Sequence, residues 1–114
     1  MSVKLTTRQV GDVTVVDAVG RITLGDGAST FRDTVRDLAA GGKKKLLLNL
    51  AEVSYIDSSG IGEMVSGFTT VSNQGGQVKL LSLTKRVKDL LQITKLYTVF
   101  EVFDDEATAV RSFS

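Results

Sequence analysis

A chain of 114 residues, 42% hydrophobic and 24% charged, can build one globular core and lacks the composition of a disordered segment. Its net charge of +1 supplies no field that would draw it to nucleic acid or anionic lipid. Cysteine and histidine are both absent, which excludes disulfides, thiolate metal sites and a Ser-His-Asp triad, and removes the commonest metal ligand and general base.

Residues 3–7 and 13–19 are rich in β-branched side chains and read as strands. Gly11-Asp12 between them suggests a hairpin turn, so this first pair is expected to be antiparallel. After Gly25-Asp26-Gly27, the positions Phe31, Val35, Leu38 and Ala39 mark one face of a helix that Gly41-Gly42 ends. Residues 45–50 are a short, mostly apolar run, expected as a buried strand. Ile61, Met64, Val65, Phe68 and Val71 then trace the apolar face of a second helix, closed by Gly75-Gly76. A strand is predicted over 78–83. Thr84 caps a third helix that turns Val87, Leu90, Leu91 and Thr94 inward. A last strand is predicted over 98–103, and Asp104-Asp105-Glu106 opens a short final helix with acids where the dipole favours them.

The order ββαβαβαβα implies one α/β domain over residues 1–114, with a mixed, mostly parallel β-sheet. Right-handed crossovers between strands taken in order place the helices on one face. No apolar stretch approaches the roughly 20 residues of a membrane span. The N-terminus also lacks a basic-then-apolar signal, so no membrane association and a cytoplasmic address are expected.

The stretch that carries most information is Asp57-Ser58-Ser59-Gly60-Ile61-Gly62, where a strand hands over to a helix. It places two hydroxyls at or beside the N-cap, close to unpaired N–H groups and the positive end of the dipole, where a phosphate is well received. Capping alone accounts for a serine, at about 1 kcal/mol. It does not account for Gly60 and Gly62, which cost up to about 1 kcal/mol each inside a helix. Either they bare the backbone for an approaching molecule or they let the helix pack tightly on a strand; spacing alone does not separate the two. Asp57 likewise has two readings: it accepts backbone N–H bonds at the helix start, or it orients the Ser58 hydroxyl.

Tyr55-Ile56-Asp57-Ser58-Ser59-Gly60-Ile61-Gly62 resembles the signature of the anti-sigma-factor antagonists, the small bacterial proteins that typify the STAS fold. The likeness extends to Val19-Gly20-Arg21-Ile22, to Leu47-Leu48-Asn49-Leu50, to Gly75-Gly76 and to Val99-Phe100 with the acids that follow. It implies a single STAS domain that acts as a binding module, not an enzyme, and needs no cofactor. Ser58 is by this resemblance the phosphoacceptor of a partner serine kinase that is itself the anti-sigma factor. A metal-dependent phosphatase removes the phosphate, and the unphosphorylated form binds the kinase and frees a sigma factor. Thr23, Asp57, Ser58, Ser59, Gly60, Ile61 and Gly62 are the partner-binding positions so implied. Many members carry an acid where this chain has Thr23, on the loop expected beside Ser58. An alternative within the fold is a subunit that docks constitutively in a lipid-transport or stress-signalling assembly. A small nucleotide-binding protein or enzyme using Asp57 and Ser58 is disfavoured, because a P-loop and a dinucleotide fingerprint are both missing.

Two basic clusters stand apart from this motif. Lys43-Lys44-Lys45 reads as a solvated turn, with no aromatics interleaved for nucleic-acid binding. Lys85, Arg86 and Lys88 read either as a contact for an acidic partner or as an ordinary exposed helix face. Tyr55 and Ile56 are expected to finish their strand inside the core.

Overall fold

In the computed structural model, residues 3–113 are described. The first two strands, β1 (Val3–Val10) and β2 (Val13–Ile22), pair antiparallel. Three further strands, β3 (Lys45–Ile56), β4 (Gln77–Leu81) and β5 (Val102–Phe103), add in order and in parallel, giving a five-stranded sheet ordered β1-β2-β3-β4-β5. The expected mixed α/β architecture is therefore present.

Side-chain alternation explains the layers. Leu46, Leu48 and Leu50 of β3, Val16 and Ala18 of β2, and Val78 and Leu80 of β4 join one apolar face. Against it lie Phe31 and Val35 of α1 (Asp26–Ala40), Met64 and Val71 of α2 (Ser58–Asn73), and Val87 and Leu91 of α3 (Lys85–Ile93). These three helices share a face, as in-order crossovers require. The fourth helix, α4 (Glu106–Arg111), departs from the one-face expectation. Val13, Val15, Leu47 and Leu81 leave an apolar strip on the opposite face, and Ala109 and Phe113 cover it. An uncovered strip of this kind would leave large side chains in water, at a cost of about 1.5–3 kcal/mol each.

Two strands differ most in length from the sequence expectation, while β1, β2 and β4 shift by one to three residues at their ends. β3 is continuous from Lys45 to Ile56, so the apolar run at 45–50 and the strand end expected at Tyr55 and Ile56 belong to one strand. Its register against β2 shifts between Asp17 and Val19 and again between Gly20 and Arg21, each shift placing an extra residue in β3. Conversely, the last strand shrinks to Val102–Phe103. A 3-10 turn at Leu96–Thr98 precedes it, and Phe100 turns into the core, where its ring meets Phe68 edge-on at 5.4 Å. Among the described residues, no helix is long and apolar enough to cross a membrane.

Candidate functional site at the mouth of helix α2

Strands β2 and β3 are parallel and end together, Arg21 opposite Tyr55 and Ile22 opposite Ile56. The loop from Thr23 to Gly25 and the residues from Asp57 onward therefore leave the sheet side by side. Sites in parallel α/β sheets form at this carboxyl end of the strands.

Asp57 joins the two segments. One carboxylate oxygen, Oδ1, accepts the Gly60 amide at 3.0 Å, and the other, Oδ2, accepts the Leu24 amide at 3.0 Å. Asp57 is thus the N-cap of α2, in extended backbone, and the serines follow it. The cap that the sequence allowed to Ser58 or Ser59 belongs to the aspartate. The Leu24 amide, helped by those of Gly60 and Ser59, holds the Asp57 carboxyl below the usual carboxylate range. Asp57 is therefore an anion at neutral pH, at the positive end of the helix.

Ser58, the first residue of α2, is exposed, and Ser59 is half-buried beside it. Thr23 is half-buried on the neighbouring loop, where its carbonyl accepts the Ala28 amide at 2.8 Å. The two glycines answer the question that spacing left open, each differently. A Cβ on Gly60 would run into the Ile22 carbonyl and come within 2.7 Å of Ile56 Cγ1, so this glycine lets α2 pack close against the strand ends. A Cβ on Gly62 would meet nothing within 4 Å, and this glycine does bare the helix surface. Ile61 faces the core at 6% exposure. Of the positions singled out in the motif, Thr23, Asp57, Ser58, Ser59 and Gly62 reach the surface, while Gly60 and Ile61 support it from below.

Some neighbours were not evident from the motif. Leu24, 80% exposed, is drawn in by its amide bond to Asp57, a contact across 33 residues that no local pattern signals. Tyr55 does not enter the core with Ile56. It is half-buried at the surface, with the guanidinium carbons of Arg21 and Arg86 at 5.4 and 4.8 Å from its ring centroid. Alternation explains the split, since consecutive strand residues face opposite sides.

Comparison with known proteins bears on this geometry. The STAS domain family matches residues 4–109. The anti-sigma-B factor antagonist of Bacillus subtilis is 32% identical over 102 residues, spanning 90% of this chain and 92% of its own. The Thermotoga maritima protein TM1081 superposes with a TM-score of 0.89 at 25% identity, over 96% of this chain and 93% of its own. Bacillus SpoIIAA, in a structure of its phosphorylated form, shares the fold with a TM-score of 0.76 at 17% identity, over 97% of this chain and 100% of its own. The family match runs from β1 into α4, and a relative of about this length aligns almost throughout; the chain belongs to the STAS domain family.

Proposed function

We propose that this chain is an anti-sigma-factor antagonist, a regulatory binding module and not an enzyme, whose docking to an anti-sigma serine kinase is switched off by phosphorylation of Ser58. The observation that carries this reading is the division of roles at the helix mouth. Asp57 takes the cap, which leaves the exposed Ser58 hydroxyl available to a kinase. The antagonist named among the relatives, aligned over 90% of this chain, supports the same role.

The electrostatics supply the switch. A phosphoserine carries about −1.5 to −2 charge at neutral pH. In the free protein the first turn of α2 tolerates this charge, because solvent reaches it and the dipole favours it. The Asp57 carboxylate, one residue away, opposes it. In a packed interface the dianion must be desolvated beside that carboxylate, and a penalty of about 3 to 4 kcal/mol cuts affinity several hundred-fold. No large conformational change is needed. A metal-dependent serine phosphatase acting on the phosphorylated form would reset the switch.

The test is the affinity of a Ser58→Glu variant for the partner kinase, beside Ser58→Ala. Loss of binding in the first with retention in the second supports the switch. Full affinity in Ser58→Glu would overturn it and leave a module that docks constitutively.

A further inference from the structure

Beyond the α2 mouth, β3 overhangs its neighbour. Its pairing with β4 ends at Asn49 opposite Leu81, yet the strand continues to Ile56. Helix α3 lies along this overhang, anchored where the Thr84 hydroxyl donates to the Val53 carbonyl at 3.3 Å. Between them lies a groove of about 560 Å³, open on its solvent side, formed by Tyr55 and Ile56 of β3 and by Arg86, Leu90 and Ile93 of α3.

The groove has an apolar floor and a basic rim. Ile93 is 78% exposed, a large aliphatic side chain with little cover from the described residues. Four cations and one acid lie between Lys85 and Lys95, in a chain whose net charge is only +1. The single acid, Asp89, is engaged by Lys85 at 2.9 Å. Arg86 and Arg21 both stack on the Tyr55 ring, and among the described residues neither makes an ion pair. Two guanidiniums on one ring with no carboxylate between them repel each other, and an anionic partner relieves that repulsion. Arginine and tyrosine around an apolar centre are also the residue types that anchor protein interfaces.

We infer that this groove docks an acidic segment of a partner protein, with an aliphatic side chain seated against Leu90 and Ile93 and flanking carboxylates on Arg86 and Arg21. Charge complementarity selects the acidic partner, and the apolar floor selects a polypeptide with aliphatic anchors over a bare anion. A small molecule in so open a groove would stay largely in water, whereas pockets for such ligands bury most of their surface. The groove is built from β3 and α3 and does not include Ser58, so the docking goes beyond the switch at α2.

The test is an NMR titration of the 15N-labelled full chain with three capped peptides. These are a hexapeptide of alternating leucine and glutamate, its lysine-for-glutamate counterpart, and hexaglutamate. The first is expected to shift the amides of Tyr55, Arg86 and Ile93 saturably, with hexaglutamate about tenfold weaker and the lysine peptide inert. Arg86→Glu and Ile93→Asp, both at exposed positions that leave the fold intact, should each weaken the first peptide about tenfold. Absence of shifts at these amides, equal binding of the lysine peptide, or shifts centred on Lys43 and Lys44 would overturn the inference.

Discussion

The Asp57 carboxylate accepts the Leu24 amide at 3.0 Å while it caps α2 through the Gly60 amide, so one side chain ties the loop after β2 to the start of the helix. Replacing it should loosen both. Asp57→Ala is expected to lower stability by about 1–2 kcal/mol, the usual cost of a lost cap. Asp57→Asn, which can still accept one of these bonds, should cost less. Chemical denaturation of the two variants checks the order, and amide exchange at Leu24 should quicken in Asp57→Ala.

The two glycines of the motif should respond oppositely to alanine. Gly60→Ala forces a methyl onto the Ile22 carbonyl and Ile56, and is expected to destabilise by about 1–3 kcal/mol. Gly62→Ala enters open space and should be neutral or stabilising by up to about 1 kcal/mol. Urea midpoints for the pair measure this directly. Equal losses in both would contradict the packing described for Gly60.

Acid should destabilise the domain. The Leu24 amide lowers the pKa of Asp57, and the Arg8 guanidinium lowers those of Asp17 and Glu106, bonding Asp17 at 2.6 Å. Because the folded values lie below the unfolded ones, the stability these groups add is fully present above a pH of about 4 to 4.5. It is lost as pH falls through the folded values. Melting temperatures are expected to be flat near neutrality and to drop in this acid range, less steeply in Asp57→Ala. A melting temperature that rises on acidification would contradict the assignment.

Lys79, 5% exposed, fastens α4 to the second face of the sheet. Its ammonium donates to the Ser112 carbonyl and hydroxyl at 3.0 Å each, and lies 4.8 Å from the Phe113 ring centroid and 3.5 Å from a Glu101 oxygen. Lys79→Ala removes these contacts and leaves a cavity, at an expected cost of about 2–3 kcal/mol. Hydrogen exchange should quicken in α4 before the rest of the sheet opens.

Much of this fold is legible in the sequence because most of its elements obey one period throughout. The β1-β2 hairpin, the apolar faces of α1 and α2 and the Thr84 cap are all where the pattern places them. The end of β3 at Tyr55 and Ile56 is legible, but the stretch joining it to the apolar run is hidden because register shifts bury Leu50, Val53 and Ile56 at intervals of three, neither a strand period nor a run. The last strand is overread because Val99 and Phe100 are apolar for the core and not for the sheet. At the site, Ser58 and the glycines are visible locally. Leu24, Arg21 and Arg86 are not, since only the parallel pairing of β2 with β3 and the placement of α3 bring them near.

The measurement that tests the central claim most directly is the intact mass of the protein after incubation with ATP and each anti-sigma serine kinase of its host, for wild type and Ser58→Ala. One added phosphate on the wild type, absent from Ser58→Ala, is the predicted result. A phosphate retained in Ser58→Ala, or none on the wild type with any of these kinases, would contradict it.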